Sequence, residues 1–587
     1  MQIAGISQRF IPRIAAIGMM GKPARARRVW FDALAFAMVA AFLVFISWGM
    51  AQMSAPVGRL EQSPISLDVH NLPEYAMRTT LRMLIAVVAS LLFTLVYATL
   101  AAKSRRAGQI MIPILDILQS VPVLGYISFT VTGFIALFPG RMMGVECAAI
   151  FAIFTSQAWN MTFSLYQSLQ TIPHDMDEAS FVFKLSGWQK FWKMELPYAM
   201  PSLIWNTMMS MSGGWFFVVA SEAITVGNQH ITLPGVGSYI ALAIAERNMS
   251  AIGWAIATMT VVILLYDQLL FRPLVAWSDK FRYELTASQD APHSWVLSLF
   301  SKSRLVKKLL SPIGWLSHVI LRIRLFKPTV ASRQFTAREA RLFDYLWYAL
   351  LFLAGIAAMQ HLIVFFKTSI SWSDTAHVAF LALITLARVI VLIILASLLW
   401  VPLGVMIGLR PRWAEIVQPV AQFLAAFPAN LLFPVAVVAI SRYALNPDIW
   451  LSPLMILGTQ WYILFNVIAG ASAFPNDLRE VSRNFRVHGW LWWRKVILPG
   501  IFPYFLTGAI TASGGAWNAS IVSEAVQWGD QSYAATGLGA YIAQMTEAGD
   551  FVHIVLGVGM MSFIVVLFNK FFWRPLYDVA ARKLRFD

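Results

Sequence analysis

Charge is scarce in this chain. Of 587 residues only 13% are Asp, Glu, Lys or Arg, and the acids are outnumbered 29 to 45. Soluble domains carry about 25% charged residues, which excludes a water-facing surface over most of the length. A single cysteine, Cys147, rules out an internal disulfide and a cysteine-built metal site. It lies in an apolar stretch and reads as a small core residue. The nine histidines are scattered, with no His-x-x-x-His pair, and no Cys-x-x-Cys occurs. A phosphate-cradling sequence is also lacking: Gly21-Lys22 is followed by Pro23 and has neither the glycine spacing nor the Ser or Thr. No catalytic, cofactor-binding or metal residues are expected, and the chain is not read as an enzyme.

What is abundant is apolar. Hydrophobic residues make up 58% and the mean hydropathy is +0.65, so helices that satisfy their own backbone in lipid are expected. The net charge of +16 would suit nucleic acid. Lys and Arg collecting in the inner loops of a membrane protein explain it better, and no nucleic-acid partner is expected. Apolar runs long enough to span fall near 30–50, 81–102, 109–138, 143–167, 201–225 and 251–274. They recur near 344–366, 380–408, 415–441, 449–472, 502–526 and 551–574. The loops between them alternate in charge. Residues 1–29 read as a basic cytoplasmic N-terminus and 278–341 as a basic interfacial linker on the anionic inner leaflet.

The two sets of spans are copies. Glu178/Glu480, Gly187/Gly489, Trp215/Trp517, Glu222/Glu524, Gly235/Gly537, Gly237/Gly539 and Pro273/Pro575 all differ by 302, and Pro113/Pro419 and Pro122/Pro428 by 306. Internal duplication follows, with repeats at 30–277 and 342–587. Six crossings per unit leave both copies pointing the same way, the parallel-repeat arrangement. The expected fold is an all-α polytopic membrane protein with about twelve transmembrane helices in two six-helix repeats.

Each repeat carries a polar insert: DEASFVFKLSGWQKFWKMELP from Asp177 and REVSRNFRVHGWLWWRKVILP from Arg479. Glu178-Ala179-Ser180, Gly187 and Leu196-Pro197 resemble the EAA loop of binding-protein-dependent ABC importer permeases. The second copy keeps Glu480, Gly489 and Leu498-Pro499 but has Val481-Ser482 for the two alanines. The resemblance covers nearly the whole chain, twice. The Ser-Glu pairs at Ser221-Glu222 and Ser523-Glu524, followed by Gly-Val-Gly and Gly-Leu-Gly, are similar to the nitrate/sulfonate/taurine branch. The resemblance implies a type I importer-like permease carrying a small, anionic solute. Its partners would be two cytoplasmic ABC ATPase subunits, a homodimer using ATP-Mg, an external solute-binding protein and membrane lipids. It implies a bacterial inner (plasma) membrane, with both termini cytoplasmic. In the loop, the glycine is expected to adopt a conformation other residues avoid, and Leu-Pro to end the short helix before the next span.

Candidate pathway residues are Ser212, Gly213 and Trp215, with Gly515 and Trp517 in the second copy. Small residues there allow close helix approach, so packing alone is an equal reading. Glu222 and Glu524 fall near the outer ends of their spans, where a gate, a helix anchor and plain interfacial placement all stay open. Arg82 and Arg388 open corresponding spans and are expected to snorkel. The alternative function is an ion-coupled secondary transporter, which would need buried carboxylates or histidines; these look scarce.

Overall fold

The computed structural model describes residues 22–53, 65–120, 130–281 apart from 132, 140, 227 and 228, then 294–322, scattered positions between 345 and 364, and 370–583 apart from 473, 475 and 530. Its first repeat comprises α1 (Lys22–Met53), α2 (Leu72–Lys103), α3 (Arg105–Ser120), α4 (Met142–Gln170), α5 (Leu196–Glu222), α6 (Val236–Ala245) and α7 (Met249–Tyr266). The second comprises α8 (Trp372–Gly408), α9 (Pro411–Ala426), α10 (Phe433–Tyr443), α11 (Trp461–Ser472), α12 (Leu498–Ser523), α13 (Leu538–Ala548) and α14 (Phe551–Phe568).

Seven helical runs among the described residues are long and apolar enough to cross a membrane, and nine if two bent pairs each count as one. The pairs are Arg412–Ala426 with Ala429–Tyr443, bent by 77°, and Pro447–Leu457 with Trp461–Ser472, bent by 45°. These are the expected spans 415–441 and 449–472, now seen to be broken. α5 is the copy of α12. The expected span 344–366 is described only at scattered positions, and the middle of 109–138 lies outside the described residues. Several helices outrun their expected bounds: α2 starts at Leu72, ahead of the expected 81, and α8 at Trp372, ahead of the expected 380. Pro113 lies inside α3 and does not end it.

The proline pattern has a structural counterpart. Each of four X-Pro steps, at Pro197, Pro273, Pro499 and Pro575, follows a five-residue π-helical turn: Phe191–Glu195, Asp267–Phe271, Trp493–Ile497 and Asn569–Trp573. Proline lacks an N–H and its ring collides with the carbonyl four residues back. One extra residue in the turn relieves that collision, and the helix runs on. The expectation that Leu196-Pro197 and Leu498-Pro499 end a helix is therefore corrected: both are joined without a break to α5 and α12.

Two features went unread in the sequence. Each repeat has an antiparallel two-stranded hairpin after its glutamate, Ala223–Val226 with Gln229–Thr232 and Ala525–Trp528 with Gln531–Ala534. The hairpins and the polar inserts lie at opposite ends of α5 and α12, which at 27 and 26 residues are about 40 Å long. The two repeats also share a core. Val526 and Trp528 of the second hairpin are buried with Tyr239 and Ile252 of the first repeat and Phe433 and Val437 of α10.

Candidate functional site

Three places in the molecule concentrate chemistry. The first is a buried ion cluster. The packing of α2 on α4 and α5 brings Arg82, Glu146 and Glu222 together. Arg82 donates through Nε and Nη2 to both carboxylate oxygens of Glu146 at 2.6 and 2.8 Å, and through Nη1 to Glu222 at 2.6 Å. Arg82 and Glu222 are wholly buried and Glu146 nearly so. Thr79 donates to Glu222 at 2.7 Å, and so does the Gly237 backbone N–H. That N–H belongs to the first turn of α6, where the helix dipole favours negative charge. Gly235 and Gly237 explain the Gly-Val-Gly motif: a Cβ on Gly235 would overlap the Glu222 carboxylate.

The second repeat builds the same device. Glu524 accepts from Thr385 at 3.0 Å, Arg388 at 2.9 Å, and the N–H groups of Gly539 and Ala540 at 2.7 and 3.2 Å. Asp448 takes the place of Glu146, pairing with Arg388 at 2.9 Å. It stands 302 residues after Glu146, a signal the sequence held. This copy is wetter: the Asp448 side chain is 47% exposed and Arg388 12%. Snorkelling is therefore wrong for both arginines, because each finds a carboxylate inside the protein. Buried carboxylates are also less scarce than expected, although these are each tied to an arginine.

The second place is a cavity of about 300 Å³ between the repeats. Ser212, Gly213 and Gly515 line it together with Asn160, Asn206, Thr459, Tyr462, Thr511 and Asn518. Among its described lining residues there is no Asp, Glu, Lys, Arg or His. The Trp159 indole N–H and the Thr459 hydroxyl, both in its wall, have no hydrogen-bond partner among the described residues. Gly213 leaves room for the Tyr462 hydroxyl and Gly515 for the Thr459 methyl group. Small residues here thus bring the repeats together and open the space between them. The two tryptophans part company. Trp215 borders a second cavity, also about 300 Å³, between α5, α7 and α9, whereas Trp517 is packed in the core. Glu222 and Glu524 line neither cavity.

The third place is the pair of inserts. His174–Val182 is a helix, followed by a turn and a second short helix, Gly187–Lys190; Asn476–Asn484 and Gly489–Trp492 repeat the shape. The turn needs left-handed backbone at Lys184 (φ 50°) and Arg486 (φ 51°). Gly489 is left-handed too (φ 59°) but Gly187 is not, so the special role expected of Gly187 falls instead to Lys184. Glu178, Ala179 and Glu480 are exposed. Ser180 and Ser482 are buried, each bonded to a carbonyl of its own helix, so both copies place a serine where the motif has its second alanine. Large apolar side chains stand in water on both elbows: Phe181, Val182 and Phe183 on one, Phe485, Trp490 and Leu491 on the other.

The family described as binding-protein-dependent transport system inner membrane component matches residues 90–272 and again 400–578. The chain belongs to this family. Among curated relatives, the bicarbonate transport system permease protein CmpB of Synechococcus elongatus is 27% identical over 30% of this chain and 60% of its own length. The nitrate import permease protein NrtB of Leptolyngbya laminosa is 25% identical over 32% and 63%. The glycine betaine/proline betaine transport system permease protein ProW of Escherichia coli is 28% identical over 36% and 62%. The chain thus covers about 60% of the length of the relatives it matches. Both matches within this binding-protein-dependent permease chain take in an elbow, the helix after it and the glutamate that meets Gly-x-Gly.

Proposed function

We propose that this chain is the fused, two-domain permease of an ATP-driven importer, forming the path for a small anionic solute of the bicarbonate, nitrate, sulfonate or carboxylate class. Two elbows, each exposing apolar side chains at the same end of the molecule, are the observation that carries the reading. Phe181–Phe183 and Phe485 in water cost about 1.5–3 kcal/mol per side chain relative to burial, and a partner protein supplies that burial. In this reading each elbow seats in one of two separate ATPase subunits, with Glu178 and Glu480 at the contact, Gly187 and Gly489 opening the second short helix, and Pro197 and Pro499 following the π-helical turns that join it to α5 and α12. ATP-Mg stays on the partners, and the chain itself holds no cofactor. Closure of the ATPase pair swings the two repeats about the shared cavity. An external binding protein delivers the solute at the hairpin end. The elbow end faces the cytoplasm, in line with its basic residues, in a bacterial inner membrane.

The cavity suits the solute class. Hydroxyl, amide and indole donors hold an anion by hydrogen bonds, and a lining with no fixed cation among the described residues keeps binding weak enough for release. The experiment uses Cys147→Ala as a cysteine-free background. Glu178→Cys and Glu480→Cys should each crosslink to an ATPase subunit in the assembled complex. Uptake of labelled bicarbonate or nitrate into proteoliposomes should require ATP and the binding protein. Uptake driven by an ion gradient with no ATPase present would establish the secondary-transporter alternative.

A further inference from the structure

The linker helix Arg304–Arg322 joins two parts of the molecule that the proposed function treats separately. Its first turn is held by α1: the Asp32 carboxylate accepts from the Ser303 hydroxyl and the Arg304 N–H at 2.7 Å each, and from the Leu305 N–H at 3.3 Å. Val306 is buried beside Leu299 and Ala35. Asp32 stands two residues into the first apolar span, Trp30–Met53, so the linker helix starts at the border of the apolar layer. At its other end the Arg322 carbonyl accepts from the Gln189 side chain at 3.4 Å. Gln189 belongs to the first elbow and is buried. Its equivalent in the second elbow, Leu491, is 54% exposed.

Among the described residues, one face of this helix is exposed. Leu305, Leu309, Pro312, Trp315 and Val319 follow the spacing of a single helical stripe, and all are exposed. Arg304 and Arg322 lie along one edge of that stripe beside Trp315, Lys308 falls between Trp315 and Val319, and the helix contains no acid. An apolar stripe with a basic edge matches one surface, an anionic bilayer leaflet: the stripe enters the acyl boundary and the cations meet lipid phosphate.

We propose that Arg304–Arg322 binds anionic phospholipid and, through Gln189, braces the first elbow but not the second. The two elbows then differ in mobility according to the lipid around the protein. The test uses the full chain in nanodiscs, without ATPase or transport, so its outcome is separate from that of the proposed function. In the Cys147→Ala background, a spin label at Leu309→Cys should be at least several-fold less accessible to a water-soluble nickel reagent than one at Lys307→Cys, which lies about 160° away around the helix. Replacing phosphatidylglycerol by phosphatidylcholine should raise nickel access at 309 at least twofold. Hydrogen exchange at 174–190 should be slower in phosphatidylglycerol than in phosphatidylcholine, with 476–492 unchanged. The triple variant Arg304→Gln/Lys308→Gln/Arg322→Gln should exchange in phosphatidylglycerol as the parent does in phosphatidylcholine. Equal nickel access at 309 and 307, or lipid-independent exchange in the first elbow, would overturn the proposal.

Discussion

Arg82 and Glu222 lie 2.6 Å apart with neither side chain reaching solvent, and Glu146 closes the other side of the same guanidinium. Removing one partner of a buried pair strands the other charge and costs about 3–5 kcal/mol. Arg82→Ala strands two carboxylates at once. Arg388→Ala leaves Asp448 half in water, so only Glu524 is stranded in a dry place. Thermal unfolding in detergent should show Arg82→Ala as the more destabilised of the two. Arg82→Lys should restore little, because one ammonium cannot reproduce the two-pronged contact with Glu146 and the third bond to Glu222.

The glycines facing that glutamate are constrained by space rather than by backbone angle. Gly235 has extended backbone, open to any residue, yet a Cβ there meets the Glu222 carboxylate. Gly235→Ala should cost about 1–3 kcal/mol by overpacking. Gly253→Ala is the control, since nothing lies within 4 Å of its Cβ position and it sits within α7. That change should be neutral or stabilising by a few tenths to about 1 kcal/mol. Unfolding midpoints of the two variants, measured together, check both signs.

The sequence made the duplication, the elbows and the paired glutamates readable because identical residues recur at one offset. It left Glu146 and Asp448 unread, since the pair changes from Glu to Asp and a search for identities passes over it. The partners of Arg82 lie 64 and 140 residues away, a proximity that only the packing of α2 on α4 and α5 creates. Snorkelling is the default for an arginine whose partners are unseen. The cavity resisted for another reason. Asn160 faces a wall whose equivalent is Tyr462, and Thr459 answers to Gln157, so the lining does not follow the repeat. The hairpins were hidden because their short strands adjoin apolar helices and add no periodicity of their own.

At the hairpin end, Asp550 caps α14. Its carboxylate accepts from the His553 N–H at 3.2 Å and contacts the His553 ring at 2.7 Å. Desolvation pushes its pKa up, but the His553 contacts and the Val552 N–H outweigh that and hold it below the ordinary aspartate value. A lowered folded pKa means stability that is complete above the ordinary aspartate range and is lost as pH falls through the folded value. Asp550→Asn keeps a capping oxygen and removes the titration. The stability difference between parent and variant, followed from pH 7 down to about pH 3, should therefore shrink at the acid end. A difference independent of pH would contradict the assignment.

The central cavity gives a cleaner test of transport than of folding. Nothing lies within 4 Å of a Cβ on Gly514, which lines the space. Gly514→Leu should therefore fold with an unchanged unfolding midpoint while filling part of the roughly 300 Å³. Uptake should fall at least tenfold, with ATPase assembly intact. Thr459→Val removes an unpartnered hydroxyl at nearly constant shape, and should raise KM more than it lowers the maximal rate.

The π-helical turns make a prediction about coupling. The turn at Phe191–Glu195 inserts one residue between the first elbow and α5, and one helical residue corresponds to about 100° of rotation and 1.5 Å of rise. Pro197 keeps that insertion in place by excluding the regular hydrogen bond. Pro197→Ala restores a donor, allowing the turn to anneal into α-helix. Annealing would rotate Phe181–Phe183 away from their present direction without disturbing the buried cluster near Glu222. The variant should be at least as stable as the parent in detergent, yet its Glu178→Cys crosslink to the ATPase should weaken several-fold and ATP-driven uptake should fall with it. Pro499→Ala should do the same to the second elbow alone, visible as loss of the Glu480→Cys crosslink only. Unchanged crosslinking in both variants would mean that the inserted residue, and not the proline, sets the elbow's direction.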